Sequence, residues 1–194
     1  AYTCLYRVWK SSLLEERLRG LISIFEDKIL GTDGHLKLFF DDDWNCNYDI
    51  FSYGHDIEAS WIIHEAALVL GDPEVLERIE KIVPHIAEAA SEGFTPEGGM
   101  IYERVGEEID RDRHWWVQAE SVVGYFNLWD HFGSRKDLEN ALMCWDFIKA
   151  YIIDKENGEW FWSLRADGSI NRDDDKAGFW KCPYHNGRMC MEII

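Results

Sequence analysis

GGMIYER, residues 98–104, lies between two helical stretches, and its pattern occurs twice more among the 194 residues of the chain. GHLKLFF (34–40) and GEWFWSL (158–164) also run from a turn glycine into a short, aromatic-rich, β-like segment. Beyond an acidic loop, each leads to a helix start with unusual polar residues: YGHDIEASW (53–61), HWWVQAES (114–121) and PYHNGRMC (183–190). The period is about 60 residues, and self-similarity at a fixed period marks a repeat architecture.

Around these segments the sequence reads as helix. Ser12-Leu-Leu-Glu15 has the spacing of a capping box and predicts a helix from 12 to about 30. Asp72-Pro73 reads as an N-cap followed by a first-turn proline and predicts a helix over 72–90. Ser134-x-x-Asp137 opens a helix that carries Leu138, Leu142, Trp145, Phe147 and Ile148 and runs to about 153. Further helices are predicted at 55–70 and 115–132, with another starting near Pro183, and Ala1–Trp9 reads as the tail of one more.

The predicted fold class is all-α, built from helix-pair repeats with short β-rich loops at one end. Such pairs close into a toroid of inner and outer helices, the (α/α)6 barrel, whose loops at one end form an active-site rim. Six units need about twice this length, so residues 1–194 are expected to form about half the toroid, as part of a single domain. The chain opens within a helical pattern at Ala1 and ends at Ile194 without a C-cap glycine. The remainder is expected to be N-terminal.

A formal charge of −17 argues against nucleic acid and against anionic membrane surfaces as partners. No stretch approaches the roughly 20 apolar residues that span a bilayer, and no signal-peptide pattern opens the chain. Cys4, Cys46, Cys144, Cys182 and Cys190 are odd in number and scattered, which predicts reduced thiols and a cytoplasmic location. Ten tryptophans are conspicuous: they fill cores, and their faces also serve as platforms for sugar rings.

Polar residues at the helix starts are the candidates for chemistry. Residues three and four apart share a helix face, so His55 lies beside Glu58, with Trp61 close by, and Trp116 lies beside Glu120. A carboxylate one turn from an imidazole can orient it and fix its tautomer, although a first-turn His and Glu also cap ordinary core helices. His185 occupies the matching region of the third repeat. Equivalent ends of repeat helices point to one central cavity, so His55, Trp116 and His185 are expected to converge. Cys182, His185 and Cys190 offer three zinc-type ligands without paired CxxC knuckles, and Asp41–Asp43 and Asp173–Asp175 lack the spacing of a calcium loop. No metal site is expected.

SYGHDIEASW, RHWWVQAE and DKAGFWKCPYHNGRMCME closely resemble the cellobiose 2-epimerases, within the N-acylglucosamine 2-epimerase superfamily. The resemblance covers essentially all 194 residues, and CPYHNGR favours the cellobiose branch. It implies an (α/α)6 barrel, a cytoplasmic location and no metal or nucleotide cofactor. It also implies reversible epimerisation at C2 of the reducing-end glucose of β-1,4-linked disaccharides, a neutral substrate.

On this resemblance His55 and His185 match the general acid/base histidines, with Glu58 as the glutamate beside the first. Trp61, Trp116, Glu120 and Trp180 match substrate-cavity residues. The family also uses an arginine and a third histidine from its N-terminal half, so the piece alone is expected to be nearly inactive, and its exposed inner helices to dock with that half or self-associate. Alternative readings are an aldose–ketose isomerase of the same superfamily, an inverting glycosidase using Glu58 and Glu120, and a sugar-binding module that uses the tryptophans alone.

Overall fold

A computed structural model describes residues 1–194. Seven helices carry the fold: α1 (Tyr2–Val8), α2 (Ser12–Ile24), α3 (Tyr53–Leu70), α4 (Pro73–Ala90), α5 (Trp115–Phe132), α6 (Arg135–Phe147) and α7 (His185–Ile193). Helices α1, α3, α5 and α7 pack in sequence as an inner row, and α2, α4 and α6 back them as an outer row. The result is an arc of helix pairs, half of an (α/α) toroid. None of its helices is long and apolar enough to cross a membrane.

Local chemistry sets the hairpins. Helices α3 and α5 end at Gly71 and Gly133, with φ of 76° and 70°, a left-handed conformation that glycine adopts without strain. The next residue in each case caps the following helix. Asp72 accepts from the Glu74 and Val75 amides, and Ser134 accepts from that of Asp137. Outer helix α4 buries Val75, Ile79, Val83, Ile86 and Ala90 and turns a charged face to water. Inner helix α5 is buried at every residue from Trp115 to Tyr125, as a helix enclosed on all sides must be.

The three repeats are visible in the backbone. Helices α2 and α6 finish in π-helical turns (Phe25–Ile29 and Ile148–Ile152), and α4 finishes in a 3-10 turn (Ser91–Gly93). Each then closes a single β-bridge: Leu30 with Leu36, Phe94 with Met100, and Ile153 with Trp160. The Gln118 side-chain amide clamps the second of these loops, exchanging two 2.8 Å hydrogen bonds with the Met100 backbone.

Strands are short and lie at the rim. β1 (Ile50–Ser52), β2 (Glu103–Val105) and β3 (Glu108–Asp110) form an antiparallel sheet, and β4 (Arg113–His114) pairs with β5 (Ser163–Leu164). β1 leads into α3 and β4 into α5, so the sheets join neighbouring repeats where the inner helices begin.

Two expectations need correction. Ser12 does not form a capping box: Ser11 is the N-cap and makes no side-chain cap bond. The Glu15 carboxylate instead accepts from the Tyr6 hydroxyl at 3.0 Å and from Arg19, because α1 packs against this turn. The last helix begins at His185 rather than near Pro183, since the chain first turns through Cys182–Tyr184.

Both ends of the arc are apolar. A groove of about 690 Å³ between α1, α2 and α3 is lined by Leu18, Leu21, Ile22, Phe25 and Ile62. At the other end Phe126, Leu142, Trp145, Met189 and Ile193 line a groove of about 380 Å³.

Close approach of α3 and α5 requires small residues. A Cβ on Gly124 would lie 2.6 Å from Ile57 Cγ1 and 2.9 Å from the Ile57 carbonyl oxygen. Gly124→Ala should therefore destabilise the chain by about 1–3 kcal/mol, as overpacking does. Gly20→Ala, at an open position within α2, should stabilise it by about 0.5–1 kcal/mol. Denaturant unfolding of the two variants checks both signs.

Candidate active site

The first turns of α3, α5 and α7 meet in one cleft at the rim. His55, in the first turn of α3, places its Nδ1 2.7 Å from Ser52 Oγ. Its ring centroid is 4.8 Å from that of Trp116, and the Trp116 ring is 5.5 Å from that of His185. The indole thus packs beside both imidazoles, and Gly54 makes room for it, since a Cβ there would lie 2.6 Å from Trp116 Cη2. His185 Nδ1 is 2.7 Å from Glu120 Oε1. With both Nδ1 atoms engaged, each histidine leaves its Nε2 without a hydrogen-bond partner in the protein.

Below the histidines lies a charged network. Glu120, 1% exposed, holds His185 Nδ1 and Arg188 Nη2 on Oε1, each at 2.7 Å, and accepts from Trp61 Nε1 on Oε2 at 3.0 Å. The same Arg188 Nη2 bonds Glu58, while Nη1 donates to the Tyr184 hydroxyl at 2.7 Å. The guanidinium sits over the Trp61 and Tyr184 rings, 4.9 and 4.6 Å from their centroids. One cation therefore serves two carboxylates. Burial, and then the charge of Glu120, push the Glu58 carboxyl above the ordinary carboxylate range against the pull of Arg188.

His55 differs from His185 in its partner: a hydroxyl rather than a carboxylate. Although the ring is exposed in this arc, the protein atoms around it lower its pKa below that of an ordinary histidine, outweighing the nearby Asp56. His185, by contrast, has the Glu120 carboxylate at hydrogen-bond distance.

The convergence expected of His55, Trp116 and His185 is present in the ring distances, and Glu58, Glu120 and Trp61 join them. Glu58 does not orient His55; its carboxylate turns to Arg188, and Ser52 holds the imidazole. Trp180 lies apart on the rim, 79% exposed, with its ring edge-on to Phe179 at 4.9 Å. Ligand atoms of Glu58, Glu120 and His185 lie within 4.8 Å of one another, but a cation there would have to displace the Arg188 guanidinium. Cys182 and Cys190 are exposed and outside this group.

Three participants escape a reading of motifs. Arg188 finds partners 68 and 130 residues away. Ser52 lies one turn before His55, where a serine reads as an ordinary cap. His35 donates or accepts at 2.7 Å with Asp56 and stacks on Phe51 at 3.9 Å, fastening the first-repeat loop beneath the start of α3.

The family model of N-acylglucosamine 2-epimerase (GlcNAc 2-epimerase) matches residues 9–187. The chain is 62% identical to the cellobiose 2-epimerase of Bacteroides fragilis, over all of this chain and 50% of that protein. It superposes on a sugar epimerase from a ruminal bacterium with a TM-score of 0.95 at 41% identity, covering 100% of this chain and 50% of that one. The cellobiose 2-epimerase of Bacillus thermoamylovorans superposes with a TM-score of 0.94 at 39% identity, over 99% and 50% of the two chains. The chain thus spans about half the length of these relatives.

Arg188→Ala should cost about 3–5 kcal/mol, the usual penalty for breaking a buried ion pair from one side. The sign of its pH dependence follows from Glu58. Without the guanidinium its folded-state pKa rises further, and a carboxyl raised above its unfolded value loses stability as pH climbs from about 4.5 through the folded value. The deficit should therefore be larger at pH 8 than at pH 5. Urea unfolding at the two pH values checks this.

Proposed function

The chain belongs to the N-acylglucosamine 2-epimerase family, and we propose that it supplies the acid/base histidines of a carbohydrate epimerase. The substrate is a β-1,4-linked disaccharide with a free reducing end. Cellobiose becomes glucosyl-mannose, and lactose becomes epilactose. The observation that carries this reading is the placement of two imidazoles around one indole, each with Nδ1 anchored and Nε2 free.

Inverting C2 of an aldose requires ring opening, removal of the proton α to the aldehyde, and return of a proton to the opposite face. A planar cis-enediolate lies between the two transfers. Two imidazoles, with an unperturbed pKa of about 6.5, serve as base and acid near neutral pH. Trp116 offers an apolar plate for the sugar, while Trp61, buried under the Arg188 guanidinium, steadies Glu120, and Trp180 stands exposed at the rim. Glu120 stabilises the imidazolium formed at His185, and Arg188 carries the compensating charge for Glu58 and Glu120. An epimerisation moves a proton and no net electrons, so the chemistry calls for no redox cofactor.

An aldose–ketose isomerase would share the enediolate and return the proton to C1, giving a ketose product. An inverting glycosidase would need its two carboxyl groups about 6.5–9.5 Å apart with water between them. Glu58 and Glu120 instead share one guanidinium nitrogen, which speaks against that use.

The activity is assigned to a closed toroid in which this chain is the C-terminal half and the two apolar grooves are covered by the other half. The five free thiols are in keeping with a reducing compartment, and we place the protein in the cytoplasm.

The test joins this chain to the half of the Bacteroides fragilis relative to which it does not align, and supplies cellobiose. Glucosyl-mannose should form, while methyl cellobioside, with its reducing end blocked, should be left unchanged. His55→Asn or His185→Asn should lower turnover by on the order of 100-fold or more. Turnover unchanged by either substitution would contradict the assignment.

A further inference from the structure

Residues 176–184 lead from the third-repeat loop into α7 and carry Trp180. Two lysines tie this segment down. Lys176 Nζ pairs with Asp154 and donates to the Gly158 carbonyl at 3.1 Å. Lys181 is more unusual, because its side chain is fully buried, and lysine is almost never fully buried unless paired. Its ammonium donates to Glu159 Oε1 at 3.2 Å and to the carbonyls of Trp160 and Lys176, each at 2.8 Å. Those three bonds use all three of its protons.

The partners of Lys181 lead to His185. Glu159 Oε1 also accepts from Asn186 Nδ2 at 3.1 Å, so one carboxylate oxygen joins Lys181 to the residue that follows His185. The ammonium lies 5.3 Å from the centroid of Trp115, whose ring meets that of His185 edge-on at 6.4 Å. Glu159 holds its carboxylate in place from a backbone φ of 59°, a conformation that non-glycine residues rarely adopt. Backbone strain of this kind persists where surrounding structure over-determines it. An apolar side chain of similar length would fill the same space at a lower desolvation cost. What the ammonium adds is three directed bonds.

We propose that Lys181 is a positioning residue, whose buried ammonium locks the 176–184 segment onto the Glu159–Trp160 turn and thereby fixes the orientation of His185. Its catalytic consequence rests on the reading of His185 as an acid/base group. The structural consequence does not.

Lys181→Met keeps the length of the stem and removes the three bonds. Glu159, already partly exposed, can hydrate its freed charge. Two readouts separate the positioning role from the epimerase reading. In long-range ¹H–¹⁵N spectra of this chain, wild-type His185 should show the Nδ1–H tautomer set by Glu120, and Lys181→Met should shift its ring signals while those of His35 stay put. In the joined toroid, Lys181→Met should lower kcat by on the order of 10–100-fold, the scale of a misplaced catalytic group, with KM changed less than threefold. Glu159→Gln, which leaves Lys181 its two carbonyls, should act in the same direction with smaller effect, and serves if Lys181→Met does not fold. Shifted His185 signals alongside an inactive wild-type toroid would uphold the positioning role and defeat the epimerase reading. Unchanged His185 signals in the folded variant, with kcat within twofold of wild type, would overturn the role of Lys181.

Discussion

A single buried carboxylate holds three inner helices together at the cleft. Glu120 belongs to α5, accepts from Trp61 of α3, and binds His185 and Arg188 of α7. Burying a charged group costs several kcal/mol unless its lone pairs are met, and three partners meet them here. That requirement fixes the relative positions of the helices more sharply than apolar packing alone, because the distances and directions of hydrogen bonds are narrow. The site and the fold thus share one constraint.

Around it, charge is arranged asymmetrically. His55 rests on a hydroxyl and is held toward its neutral form, whereas His185 rests on a carboxylate within a network that contains a guanidinium. On the proposed epimerase reading, an enediolate would meet one imidazole held by a hydroxyl and another held by a carboxylate. The two lysines that anchor residues 176–184 extend the same logic outward: their charges fix the loop before α7, while the arc itself is packed by Ile57, Ala67, Val117 and Ala119.

Much of this is legible in the sequence because it repeats. Three turn glycines at similar spacing predict three equivalent loops, and Gly34, Gly98 and Gly158 all adopt positive φ. The same equivalence brings His55, Trp116 and His185 to one end of the inner row. What periodicity does not carry is the identity of partners across repeats. His55 and Glu58 share a helix face, which suggests a pair, yet Glu58 is drawn to Arg188, 130 residues along the chain, because a buried and a partly buried carboxylate need a cation more than an imidazole needs an acceptor. Ser52 and Lys181 are hidden for a related reason: each looks like an ordinary cap or surface residue until the neighbouring elements are in place.

In the proposed epimerisation, protons leave and return at C2 through His55 and His185. The direct measurement is cellobiose turnover by the joined toroid in deuterated water, followed by NMR at the reducing-end C2. Proton transfer through imidazoles that exchange with solvent predicts deuterium at C2 of the glucosyl-mannose formed. Complete retention of the original hydrogen, with product accumulating, would contradict proton transfer through these histidines.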